Sequence, residues 1–235
     1  MRGLAMLISS LIASVAGVYA FKFHGFRSVH GKSLLFLDLA VTVLFIGNAI
    51  MTFFTAVLGV PSSMTNAPTE ALIFWLMQYP FYIAGLYFVW KMTKVPIDRK
   101  RLVSMCLLVA TISIFSISMF ITSTPKGSDN GSILAQISAF GDMLILNALI
   151  VMVMHSFGGK LFRLWSIILL SIFILTISHI TISIDALVVM GLTLMEIGFL
   201  SITFGFLYNV EMFRDMAEKT PEPPAKKGIR KGGRK

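Results

Sequence analysis

Residues 34–58 read LLFLDLAVTVLFIGNAIMTFFTAVL, and this stretch decides the class of fold. It contains one charged residue, Asp38, and one amide, Asn48. At 1.5 Å per residue a helix of this length spans about 37 Å, enough to cross a hydrocarbon layer of about 30 Å. It lacks the alternation over about ten residues that marks a membrane barrel strand. Six more apolar runs of similar kind follow the same logic: 3–21, 71–90, 102–122, 133–154, 164–183 and 186–209.

Composition agrees with this reading. The chain has 235 residues, of which 56% are hydrophobic and 13% charged, and its mean hydropathy is +0.84. Soluble domains carry roughly 25% charged residues. The expected fold is all-α: one polytopic domain of seven transmembrane helices over 1–213. Residues 214–235, RDMAEKTPEPPAKKGIRKGGRK, are expected to form a disordered basic cytoplasmic tail, being rich in Pro, Gly, Lys and Arg. A single cysteine, Cys106, excludes an internal disulfide or a multi-cysteine metal site and is read as plain packing.

Basic residues set the expected orientation. The segments between runs 1 and 2, 3 and 4, and 5 and 6, together with the tail, hold 18 of the 20 Lys and Arg. Only Arg2 and Lys126 fall on the other side. By the positive-inside rule the N-terminus is outside and the C-terminus cytoplasmic. The net charge of +9 is thus mostly topology. The expected partners are a lipid bilayer and no nucleic acid, with the tail able to touch anionic headgroups. Val18-Tyr19-Ala20 has the form of a signal-peptide cleavage site, but an uncleaved first helix fits all the loops together.

A weak internal repeat is present. Gly31-Lys32 precedes run 2 and Gly159-Lys160 precedes run 6, while Glu70-Ala71-Leu72-Ile73 opens run 3 and Asp185-Ala186-Leu187-Val188 opens run 7. This suggests a 3+1+3 arrangement of parallel repeats, with run 4 as a linker.

The polar residues inside the apolar runs carry the functional reading. The stretch PTEALIFWLMQYPF, Pro68 to Phe81, places Gln78 and Pro80 in an otherwise lipid-soluble helix. Run 2 holds Asn48, run 5 Asp142 and Asn147, run 6 His179 and run 7 Glu196. Counted from the outer edge, Gln78 lies about 10 Å deep, Asp142 about 13 Å and His179 about 6 Å. An ionised carboxylate at mid-membrane costs at least about 2.5 kcal/mol. Asp142 and Glu196 therefore need partners, a wet cavity or a proton. Pro80 frees the carbonyl of Leu76, can widen the helix and is expected to help Gln78 line a pocket. The candidate ligand-binding residues are Asp142, His179, Glu196, Gln78 and Asn48, lining an outward-opening pocket for an unknown small ligand. Asp38 is read as a solvated residue at the cytoplasmic rim.

A plainer reading stands beside this one. Asn48, Gln78 and Asn147, taken singly, suit interhelical hydrogen bonds of about 0.6 kcal/mol each better than a binding role. The His, Asp and Glu residues have no metal-site spacing, and His24, His30 and His155 lie at the opposite face from His179, which does not suit haem. No cofactor is expected. Gly-x-Ser-x-Gly, HExxH and phosphate-loop motifs are missing, so the chain is read as non-enzymatic. Run 7 has no lysine, which excludes a retinal Schiff base.

The chain resembles the seven-helix N-terminal membrane domain of prokaryotic GGDEF/EAL signalling proteins and sensor histidine kinases, which also occurs free-standing in archaea. That family tends to carry P-S-x-x-D-x-F-Y-L-x-G-Y-P entering its third helix. Here PTEALIFWLMQYP keeps Pro68, Phe74, Trp75, Leu76, Tyr79 and Pro80, with Leu72 at the acidic position and Gln78 at the glycine. Gly141-Asp142 and the Gly158-Gly159 loop match the fifth helix and its exit. Gly47-Asn48 stands at a family Gly-Glu, and His179 at a family Asp. The resemblance covers 25–212. It implies a sensory module and, with no output module in this chain, an unknown cytoplasmic signalling protein to carry the signal. The remaining alternatives are a small-solute or ion transporter and a structural subunit of a membrane complex.

Overall fold

The structure, a computed structural model, describes residues 2–59, 68–92, 98–123, 130–156, 162–182 and 187–218. These residues form seven α-helices and no strand: α1 (Arg2–His24), α2 (Val29–Leu58), α3 (Thr69–Met92), α4 (Arg99–Ser123), α5 (Asn130–Ser156), α6 (Phe162–Ile182) and α7 (Val188–Glu218). Each helix corresponds to one of the apolar runs, within two residues where a run reaches past it. Among the described residues, α1, α2, α3, α5, α6 and α7 are long and apolar enough to cross a membrane, and α4 contributes the apolar segment Leu102–Thr111.

Local chemistry sets the helix ends. Ser28 caps α2, its Oγ accepting the Gly31 amide at 2.8 Å, which satisfies one of the orphan donors of the first turn. Helix α2 therefore starts five residues before the apolar run, and His30 belongs to it. Gly59, at φ 67°, closes the other end in the left-handed conformation that glycine adopts without strain. At the far end of the chain α7 runs on through Glu218. Residues 214–218, expected to open a disordered tail, are helical, because Asp-Met-Ala-Glu has nothing to break a helix already propagating from an apolar stretch. Residues 219–235 lie outside the described residues.

Six helices pack in a closed ring, α1–α2–α3–α5–α6–α7 and back to α1, while α4 leans on α5 from outside it. Glycines make the close approaches. Gly191, Gly198 and Gly205 of α7 face Ile182, Leu175 and Ile168 of α6, an antiparallel register with a seven-residue step on both helices. Gly47 and Gly85 do the same between α2 and α3, against Trp75 and Leu37. Small residues let membrane helices gain dispersion contact where no hydrophobic force separates helix from lipid. Leu37, Leu44, Tyr82, Trp165, Phe199 and Phe206 fill the buried core.

Two expectations about single residues change. Asp38 is not a solvated rim residue. It is buried, at 4% exposure, where α2 meets Gly17 of α1. The earlier start of α2 puts it nine residues inside the helix instead of near its mouth. Cys106, expected to pack, is exposed on α4, since α4 stands outside the ring.

Candidate ligand-binding site

Three of the five candidate residues meet. Gln78 on α3, Asp142 on α5 and His179 on α6 converge inside the ring and are at most 4% exposed. Gln78 Nε2 lies 3.3 Å from His179 Nδ1, and His179 Nδ1 lies 3.4 Å from Asp142 Oδ1. Two residues that sequence reasoning did not single out complete the cluster. The Tyr79 hydroxyl donates to Asp142 Oδ1 at 2.8 Å. Its oxygen is 2.9 Å from Ser138 Oγ, which must be the donor there, because Tyr79 has one proton to give. Tyr79 was legible as part of the third-helix motif, and Ser138 sits one turn before Asp142 on the same face of α5.

Helix geometry explains the meeting. Gly141, expected to let a neighbouring helix approach, does so. A Cβ there would stand 2.7 Å from three atoms of the Tyr79 ring, so the bare backbone admits Tyr79 to the α3–α5 contact. Along α5, Asp142 precedes Leu149 by seven residues, so the cluster continues the face that packs Ile145 and Leu149 into the core.

The hydrogen bonds around His179 exclude one another. Nδ1 sits between an amide and a carboxyl. If it carries the proton it donates to Asp142, and Gln78 must turn its carbonyl toward the ring. If it is bare it accepts from the Gln78 amide, and Asp142 Oδ1 keeps only the Tyr79 hydroxyl as donor. The same heavy-atom packing is thus compatible with two proton arrangements. Among the described residues no three His, Cys, Asp or Glu side chains are grouped to hold a metal ion.

The other candidates lie elsewhere. Asn48 is buried on the α2–α3 seam, where its Oδ1 accepts the Trp75 indole N–H at 3.1 Å and its Nδ2 has no partner among the described residues. Glu196 is half-buried on α7. Helical spacing sets it well over 100° from the line of Gly191, Gly198 and Gly205 that faces α6. No hydrogen bond joins it to the cluster among the described residues. A carboxyl two residues before Gly198 points away from whatever Gly198 touches, which is why depth alone misplaced it. Pro80 is exposed, on the side of α3 opposite Gln78, so it does not line the cluster. Asn147 donates from Nδ2 to Ser113 Oγ at 3.0 Å and ties α4 to α5.

The cluster is closed over rather than an open bowl among the described residues. A cavity of about 330 Å³ lies apart from it, an apolar cleft between α4, α5 and α6 lined by residues such as Leu108, Leu149, Val153 and Phe173. A second polar cluster, missed by sequence reasoning, occupies the opposite end of the bundle. His30 Nε2 donates to Asn209 Oδ1 at 2.6 Å, and the His30 ring packs on His24, Phe213 and Trp165 with centroids 4.2, 4.4 and 4.9 Å away. Its members come from α1, α2, α6 and α7, and no spacing in the sequence links them.

Compared with family models, with curated proteins and with solved structures, the chain matches none.

Proposed function

We propose that the chain is a non-enzymatic membrane sensory module of seven spans that binds a small polar ligand at Gln78, Asp142 and His179 and signals through a separate cytoplasmic protein. One observation carries this reading. A buried carboxyl, held by Tyr79, shares an imidazole nitrogen with a buried amide across three helices. A ligand that engages Asp142 or His179 selects one of the two proton arrangements. It thereby changes which helices are tied together, and that is a way to send a signal along α3, α5 and α6. The resemblance to signalling membrane domains supports the same reading, through Tyr79, Gly141 and Asp142. Helix α4, at 25 residues, has the length of a seventh span, and the 18 basic residues on one side support an external N-terminus.

The test compares wild type with Asp142→Asn, purified in mild detergent and read by mass spectrometry of bound small molecules and proteins. The expected result is a small molecule retained by the wild type and lost from the variant, with thermal unfolding unchanged. Equal retention by both, or none by either, rejects the site.

A second reading is a small-solute or ion transporter. The ring order favours it: replacing α1, α2 and α3 by α5, α6 and α7 maps every neighbouring pair onto another neighbouring pair, with α4 left outside. This suits a 3+1+3 arrangement. Proton- or sodium-dependent flux into vesicles carrying the protein is the discriminating measurement.

A further inference from the structure

Outside that cluster the ionisable side chain hardest to account for is Asp38. It stands within the α1–α2 seam, with its Oδ1 fully enclosed and without a hydrogen-bond partner among the described residues. The neighbouring backbone is Gly17, where an added Cβ would overlap the carboxyl group. One turn along the same seam the hydroxyls of Ser14 and Thr42 bond each other at 2.7 Å.

Among the described residues no charge compensates Asp38. From α1, Tyr19 and Lys22 are exposed and His24 packs on His30 and Phe213. From α3, Tyr79 is committed to Asp142, Tyr87 is exposed, and the buried Tyr82 hydroxyl has no partner. On its own helix, Lys32 lies over the Phe26 ring and His30 bonds Asn209. From α7, which packs on α1, Glu211, Arg214 and Asp215 are exposed, Tyr208 stacks on Phe204, and Glu196 is half-buried. Among the described residues no ion pair or hydrogen bond joins any of them to Asp38.

We propose that Asp38 is a proton-binding site in the α1–α2 seam, occupied in the packed form seen here. A carboxylate without a counter-charge in an apolar interior is strongly disfavoured, whereas the neutral acid fits. A metal cation needs several oxygen ligands. The nearby hydroxyls are bonded to each other, and Gly17 closes the seam against the carboxyl. A proton needs no such space. Releasing it leaves a charge that the seam cannot hold as packed, so α1 and α2 must part or admit water. This site is independent of the Asp142 cluster and of its ligand.

The test uses dicyclohexylcarbodiimide, a lipid-soluble reagent that reacts with the protonated carboxyl. The acid proton passes to a carbodiimide nitrogen, the carboxyl oxygen bonds to the central carbon, and the adduct rearranges to an N-acylurea. The full-length protein in lipid nanodiscs is treated across a range of pH and its peptides are mapped by mass spectrometry. The expected result is an adduct on Asp38 that declines about tenfold per pH unit once the proton is released. Peptide mapping separates it from Asp142 and Glu196 and needs no variant. The infrared carbonyl band of a protonated acid, lost in Asp38→Asn, gives the same answer if the reagent does not reach the seam. Neither adduct nor band at any pH at which the protein stays folded overturns the proposal. So does protection by sodium, which would make this a metal-cation site.

Discussion

Tyr79 donates a hydrogen bond to the Asp142 carboxyl on one side and accepts one from the Ser138 hydroxyl on the other. Tyr79→Phe keeps the ring against Gly141 and removes both bonds. Lost hydrogen bonds to a buried carboxyl are worth about 1.5–3 kcal/mol, so the free energy of unfolding in detergent should fall by about that amount and the unfolding temperature with it. Ser138→Ala should cost only about 0.5–1.5 kcal/mol, because Tyr79 keeps its bond to Asp142. An equal loss in the two variants would mean that the carboxyl is held elsewhere. Gly141→Ala tests the same spot by sterics. Its methyl would meet the buried Tyr79 ring at 2.7 Å, and overpacking of this kind costs about 1–3 kcal/mol. Gln78, Asp142 and His179 were legible because each is a polar group at an unusual depth. Glu196 satisfied the same criterion and is placed elsewhere, since depth along a helix carries no information about direction around it.

At the scale of the element, the α6–α7 seam ranks its own glycines. A Cβ at Gly191 would meet the backbone nitrogen of Ile182 at 2.7 Å, whereas at Gly198 it would meet the side chain of Leu175 at the same distance. A side chain can rotate away and a backbone cannot. Alanine is the better helix former by about 1 kcal/mol, and that gain partly offsets the clash. Gly191→Ala should therefore lower the unfolding temperature more than Gly198→Ala. Gly3→Ala, whose Cβ would make an ordinary 3.5 Å contact with Thr52, should be neutral or slightly stabilising. A Gly198→Ala loss as large as that at Gly191 would contradict the ranking. The seven-residue glycine spacing stands in the sequence, but nothing in one helix says which partner it will face.

At the scale of the molecule, the distribution of Lys and Arg makes a prediction about sidedness. In a Cys106→Ala background, a membrane-impermeant maleimide should label a cysteine placed at Asn130 in intact cells and leave one at Ser156 unlabelled. These residues begin and end α5, so the pair reports that helix's direction. The reverse pattern would invert the whole orientation. Cys106 is exposed on α4, so its replacement should not disturb the ring.

The helices and their approximate ends were determined by the sequence alone, because an apolar run of twenty or more residues has a single stable way to satisfy its backbone in lipid. That same physics names the costly residues, and Asp142 and His179 follow from it. What the tertiary structure decided was which costly residues share a space. Apolar runs of similar composition can pack in many orders, and lipid offers no force to prefer one. The choice falls to close contacts: Gly141 on Tyr79, Gly198 on Leu175, Gly17 on Asp38. Those contacts rotate each helix to a fixed angle. They bring Gln78 to His179, leave Glu196 aside, and bury Asp38 and His30, whose positions in the sequence had suggested the rim and a loop.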